Sequence, residues 1–297
     1  MPASNDIVRA RLFLMRATEP PTQSVGAYTA VHGPVEAAER IRAGCAPPAV
    51  LAEVAQPEPD LRDDLAALEA GHARLLTPED DDWPNAAAHD LAASGTGAPL
   101  GLWVHGDPQL GVLTAGPVAV VGSLAASPYG EYVAAELGRG IADRDIAVVN
   151  GAGFGIEAHA LRGALSTSGR GRCLVVLACG IDVEYPADHG PLLREIADSG
   201  GVLVTEYPLG TKPRRTRAYA RQRLVAALSE AMVIVEAGRR SPALAVARAA
   251  SRLGRRVYAV PGPVTSATSG GTNELLRTGM ATAVTCADEV TATRGLR

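Results

Sequence analysis

From position 117 onward, short apolar runs alternate with stretches of helical period. The clearest run is Val118-Ala119-Val120-Val121. It ends in Gly122-Ser123, and Pro128 stands where a helix begins. A continuous apolar run bounded by turn residues reads as a strand buried on both faces. Proline suits the first helical turn, where its missing N–H would be unpaired anyway. The same pattern predicts strands over 118–121, 146–149, 173–178, 202–205, 232–236, 256–260 and 281–284. Helices fit between them at about 128–142, 156–168, 188–198, 217–229, 242–253 and 270–278. Strands alternating with helices of this length mean βαβ units and a doubly wound, mainly parallel α/β sheet.

Upstream the period is helical. Val8, Leu12 and Met15 fall at i, i+4 and i+7, Pro20-Pro21 is a stop, and Gly33-Pro34 separates a second helix ending at His32 from a third starting at Val35. The block 51–70 alternates leucine or alanine with acids at helical spacing. A small helical domain over 1–70 therefore precedes the sheet domain over 71–297, and nothing in the helices demands chemistry. Residues 75–84 are turn-rich, and Leu100 to Gly106 reads as a strand ending in a turn.

A chain of 297 residues with 47% hydrophobic content can bury a sizeable core. No apolar run is long enough to cross a membrane, and the first residues lack the basic-then-apolar order of a signal peptide. Cys45, Cys173, Cys179 and Cys286 show no Cys-x-x-Cys spacing and read as reduced, cytoplasmic residues. The acid run 79–82 has no spaced partner set, so no metal is expected. Net charge is −4, but its distribution is uneven. Residues 51–90 carry eleven acids against two bases, a balance of −9, and residues 201–260 carry twelve bases against three acids, a balance of +9. One reading is a polyanion-binding face; the other is a set of solvated arginines.

Ligands of parallel sheets bind outside the carboxyl ends of the strands. There the sequence offers Gly122, Ser123 and Ser127, then Gly151, Gly153 and Gly155 with Glu157 in the following helical turn. Further on come the basic run Lys212, Arg214, Arg215, Arg217, Arg221 and Arg223, and Gly270-Gly271-Thr272-Asn273-Glu274. Glycine loops, free helix N-termini and arginines together suit a phosphate-bearing ligand. No nucleophile with a sharp elbow accompanies His159 or His189, and Cys173 and Cys179 read as inert core thiols.

The ordered series resembles the DNA-processing protein A (DprA/Smf) family. The matching residues are Val121-Gly122-Ser123 with Tyr129-Gly130, Gly155-Ile156, Arg162-Gly163-Ala164-Leu165, Cys179-Gly180-x-Asp182-x-x-Tyr185-Pro186, Thr205-Glu206-Tyr207-Pro208-x-Gly210, Val235-Glu236-Ala237, Val260-Pro261-Gly262 and Gly271-Thr272-Asn273. The resemblance covers about 75–290, and the N-terminal helices are similar to the family's small SAM-like domain. It implies an extended Rossmann-like fold without a catalytic centre or cofactor. It also implies a homodimer that binds single-stranded DNA and loads the recombinase RecA during natural transformation. The DNA pocket would use Gly122, Ser123, Ser127, the Gly151–Gly155 loop, Arg221, Arg223, Gly271, Thr272 and Asn273, with Lys212, Arg214, Arg215 and Arg217 as a supporting basic face. Phe154 or Tyr129 would stack on a base, although core packing explains either ring as well.

The chain departs from the family pattern at several of these points. Leu124 stands where the family has arginine, Glu157 where it has aspartate, and Gln222 where it has asparagine. The sequence also stops soon after Val290, so the winged-helix extension of many relatives is expected to be absent. These changes mark a divergent member. An enzyme reading remains open beside it, because phosphoribohydrolases of the same superfamily carry a related Gly-Thr loop; here Glu274 falls one residue early for their acid. A third reading is a pocket for a small phosphate ligand such as a mononucleotide.

Overall fold

The computed structural model describes residues 5–71, 73–106, 116–167 and 173–291. They fall into two compact units. One takes Met1–His105, Leu177–Val183 and Val204–Ala220; the other takes Gly106–Val176, Glu184–Leu203 and Arg221–Arg297.

The first unit opens with α1 (Asn5–Ala17), α2 (Gln23–His32), α3 (Pro34–Arg42), α4 (Pro48–Leu51) and α5 (Arg62–Glu69). Gly33 has φ +77°, a backbone state that suits glycine, and it turns the chain from α2 into α3 with Pro34 at the first helical position. The expected helical block 51–70 is helical only over Arg62–Glu69 beyond Leu51, because Pro57 and Pro59 lack the N–H that would carry a helix through. A three-residue strand β1 (Arg74–Leu76) and helix α6 (Asn85–Ala93) follow, then β2 (Leu102–Gly106). β1 pairs antiparallel with β2, with Leu75 opposite Trp103. Phe13, Leu14, Val25, Ile41, Leu75 and Trp103 form the centre of this unit's core. The acids 79–82 serve this unit. Asp80 accepts from Thr77 N–H (2.8 Å), Glu79 pairs with Arg11 (2.5 Å) and Asp82 with Arg74 (3.2 Å).

The second unit carries β3 (Val118–Val121), α7 (Pro128–Ala142), β4 (Val148–Asn150), α8 (Ile156–Leu165) and β5 (Cys173–Val176). A 3₁₀ turn over Ala187–His189 leads into α9 (Gly190–Asp198). β6 (Val202–Thr205) and α10 (Arg215–Leu228) contribute residues to both units. The chain continues with β7 (Ala231–Ile234), α11 (Ala243–Arg252), β8 (Arg256–Ala259), α12 (Gly270–Arg277), β9 (Thr282–Ala283) and α13 (Ala287–Thr291). Every expected strand and helix of this region is present, with boundaries moved by a few residues, as hydrogen-bond assignments at frayed ends commonly are.

Six strands of this unit pair in the order β5-β4-β3-β7-β8-β9, every pair parallel. All four residues of β3, of β5 and of β7 are buried, so both faces of the sheet are covered. α7 and α8 cover part of it with their backbones in close approach. A Cβ on Gly138 would land on the Ala160 carbonyl, and one on Gly163 on the Ala135 carbonyl. The chain moves outward from β3 through β4 to β5, then returns to the other side of β3 with β7. The strand order reverses between β3 and β7, and ligands of open α/β sheets bind in the crevice beyond such a reversal.

Candidate functional site

The loops at that crevice are built from small residues because larger ones do not fit. A Cβ on Gly122 would come within 2.7 Å of both the Glu236 carbonyl oxygen and Ile156 Cγ1. Ser123 N–H donates to the Glu236 carbonyl (2.8 Å), and Ser123 Oγ donates to Ala125 O (2.9 Å). Ser127 caps α7, accepting from Gly130 N–H at 3.1 Å. The buried Glu236 side chain reaches the same helix end. It accepts from Ser127 N–H (2.9 Å), from Ser127 Oγ (2.6 Å) and from Thr268 Oγ1 (3.0 Å). The N-terminus of α7, where the helix dipole favours an anion, thus holds a carboxylate of the chain itself.

The loop after β4 has the same character. Asn150 is buried and ties the loop down, donating to Val120 O (3.2 Å) and Glu157 O (3.1 Å) and accepting from Ala152 N–H (2.9 Å). Ala152 takes φ +53°. On either side of it, Gly151 N–H (3.2 Å) and Gly153 N–H (2.8 Å) both donate to Glu157 Oε2. Arg221 closes this group from α10. Its Nη1 donates to Gly151 O (2.6 Å) and Val176 O (3.3 Å), and its Nη2 lies 3.9 Å from Glu157 Oε2. Gly155, at φ +66°, has no room for a Cβ against Ser123 O and Leu124 O. Leu124 is 62% exposed beside Gly153. Phe154 is exposed on the same loop and packs against His189 (4.6 Å between ring centres), whose Nδ1 is 2.8 Å from Ala152 O.

At the last loop, Gly271 N–H donates to Ala237 O (2.6 Å), buried Thr272 donates to Ser269 O (3.1 Å), and Asn273 exchanges two hydrogen bonds with the backbone of Gly262. Gly271 thus ties this segment to the loop after β7, while Thr272 and Asn273 brace it internally. Glu274, the acid of the enzyme reading, is half-buried and pairs with Arg277 (2.6 Å). Cys173 is buried in β5, and burial pushes its thiol up to about 12, so it carries no thiolate near neutral pH.

The basic run divides sharply. Arg217 is bound by Glu19 (2.6 and 2.8 Å) and lies over the Tyr207 ring (5.2 Å); hydrogen bonding to Glu19 raises its already high pKa further. Arg223 is buried, and Arg221 is held as described. Lys212, Arg214 and Arg215 are exposed, and among the described residues none of the three is in an ion pair. Arg215 lies 5.5 Å from the Tyr219 ring centre and donates to the Tyr219 hydroxyl (3.1 Å). Tyr219, 41% exposed, was not marked by its sequence position. Its one signal is the i, i+4 spacing from Arg215, which puts both on one helical face.

Comparison with known proteins follows the same lines. A profile of the family described as DNA recombination-mediator protein A matches residues 74–295. The chain is 46% identical over 294 residues to the putative DNA processing protein DprA of Mycobacterium tuberculosis strain H37Rv, covering 95% of this chain and 74% of that protein. It is 32% identical over 223 residues to protein Smf of Escherichia coli, covering 75% of this chain and 57% of that one. The crystal structure of DNA processing protein A from Streptococcus pneumoniae superposes with a TM-score of 0.77 at 27% identity, covering 98% of both chains. A solved structure of DNA processing protein A from Helicobacter pylori, described for its single-stranded DNA binding mode, superposes with a TM-score of 0.64 at 26% identity, covering 74% of this chain and 94% of that chain.

Proposed function

The chain belongs to the DNA recombination-mediator protein A (DprA/Smf) family, and on that premise we propose that it binds single-stranded DNA and acts as a recombination mediator without catalysing a reaction. The observation that carries the binding reading is the group at the start of α10. Three exposed bases that are in no ion pair among the described residues, Lys212, Arg214 and Arg215, stand with an exposed tyrosine, Tyr219. Positive charge tracks a phosphate backbone, and an aromatic face stacks on bases without sequence preference. In the sheet unit, Gly122, Ser123 and the Gly151–Gly155 loop offer the close backbone approach a phosphate needs, while Ser127, Arg221, Gly271, Thr272 and Asn273 hold the strand-end loops in shape and Arg223 is buried. Delivery of the coated strand to a RecA-type recombinase, action as a homodimer and a cytoplasmic location complete the proposal. No helix among the described residues is long and apolar enough to cross a membrane.

The test is a titration of the purified protein into a labelled oligo-dT strand and, separately, a mixed-sequence duplex, at two salt concentrations. Salt-sensitive binding selective for the single strand is expected. Equal affinity for the duplex, or no binding to either, overturns the reading. Adding the recombinase to the preformed complex tests the mediator step: faster filament formation than on naked strand is expected, and an unchanged rate refutes it.

A further inference from the structure

In the loop after β4, Gly151 and Gly153 N–H groups converge on a single oxygen, Glu157 Oε2, at 3.2 and 2.8 Å. Two backbone N–H groups aimed at one point across a left-handed residue, here Ala152, form an anion-binding concavity. Its present occupant is a carboxylate of the same chain. Nearby, Arg221 Nη2 lies 3.9 Å from that oxygen, and the buried Arg221 Nε has no hydrogen-bond partner among the described residues. Arg221 cannot follow the carboxylate away, because Gly151 O and Val176 O hold its other nitrogen. If Glu157 leaves, two N–H donors and a guanidinium remain in place, facing an empty anion position.

We propose that Glu157 is a displaceable internal anion, and that a phosphate group of the ligand takes its place on the Gly151 and Gly153 amides. The identity of that ligand as DNA rests on the reading above; the anion site does not. The contrast with Glu236 supports displacement. Glu236 is buried under three donors, and Gly130 has no room for even a Cβ beside it. The Glu157 side chain is 15% exposed and sits in the first turn of α8, so displacement asks only that this one side chain turn outward. The exchange replaces two charge-assisted hydrogen bonds with two of the same kind, so it costs the ligand only the competition. A carboxylate that holds the site roughly nine-tenths of the time weakens apparent affinity about tenfold.

Two variants separate occupancy from simple repulsion. Glu157→Gln keeps the shape and removes the charge. Glu157→Asp keeps the charge and shortens the reach by one methylene, so its oxygen no longer meets both amides. The probe is inorganic phosphate, read by the Gly151 and Gly153 amide resonances of the isotope-labelled protein, whose dispersed spectrum also reports that each variant is folded. Both variants are expected to respond at about tenfold lower phosphate than the parent, and to bind an oligo-dT strand about tenfold tighter. A gain in Glu157→Gln alone means charge repulsion at a distance and overturns the proposal. So does phosphate that leaves both amides unmoved in all three proteins, even where the strand binds them equally; the DNA reading then survives. Amides that respond as expected in proteins that bind no oligonucleotide uphold the anion site and refute the DNA reading.

Discussion

Replacing Lys212, Arg214 and Arg215 together with glutamine removes three exposed charges that make no ion pair among the described residues. The fold therefore loses little, and thermal stability is expected to stay within about 0.5 kcal/mol of the parent. DNA affinity is not spared. Each phosphate neutralised on a single strand contributes about −0.7 to the slope of log affinity against log salt, so three contacts supply a slope of about −2. Raising salt from about 50 to about 200 mM then weakens that share of binding about twentyfold. The triple variant should lose most of its affinity at low salt, and its line should be flatter by about two units and approach the parent's at high salt. Fluorescence anisotropy of labelled oligo-dT over a salt series measures both. Tyr219→Ala is the complementary perturbation. Stacking is worth about 1–3 kcal/mol per base and is not electrostatic, so this variant should lower the line without changing its slope. Parallel lines for parent and triple variant would refute the assignment of DNA phosphates to these residues.

Leu124→Arg places a cation beside the Gly153 loop on an exposed position; it should tighten strand binding and steepen the salt slope by about 0.7, and unchanged affinity would show that this loop does not face DNA. A thiol reagent near pH 8 should modify exposed Cys45 and Cys286 in the folded protein, while buried Cys173, with its thiol at about 12, and buried Cys179 react only after denaturation. Rapid labelling of all four would contradict the packing of β5. In the helical unit, burial pushes the Glu79 carboxyl up, but hydrogen bonds from Arg11 and its charge outweigh this and hold it below the usual 4.5. A lowered folded pKa gives stability that is present above 4.5 and lost as pH falls through the folded value. Glu79→Gln should therefore unfold about 1–3 kcal/mol more easily at neutral pH, and the gap should close on acidification below about 4.5; a gap constant with pH would show the pair contributes no charge term.

The sheet unit was legible because its strands are buried on both faces. Val118 to Val121 and Ala231 to Ile234 leave no polar position to blur the run, and Pro117 and Gly122 bracket the first of them. α7 runs from Pro128 to Ala142 as read, its start fixed by the Ser127 cap and the proline after it. β1 escaped because three residues, Arg74 to Leu76, carry no periodicity; pairing with β2 makes them a strand. α6 escaped because its alanines favour a helix without drawing an apolar stripe. The basic run shows the larger gap. Composition counts six bases between 212 and 223, but whether each is available is set by partners far along the chain. Glu19, which takes Arg217, is 198 positions away, and Gly151, which takes Arg221, is 70. Local pattern located the charge; only tertiary pairing separates bases that support loops from bases that face solvent.

The same separation applies to the acids at the strand ends. A phosphate-binding edge is expected to be poor in carboxylates, yet Glu236 and Glu157 each occupy a place an anion would take. Their surroundings assign them different work. Glu236 joins the loops after β3, β7 and β8 through Ser127 and Thr268, and its loss would leave three donors unpaired at the strand-order reversal. Glu157 joins only the two amides of one loop to the helix that follows, within reach of solvent and of one anchored arginine. On the proposed reading, a ligand phosphate arriving at this edge meets one carboxylate held by three donors and one that it can displace. Under the displacement proposal, the position open to exchange lies one strand over from the reversal, at the carboxyl end of β4.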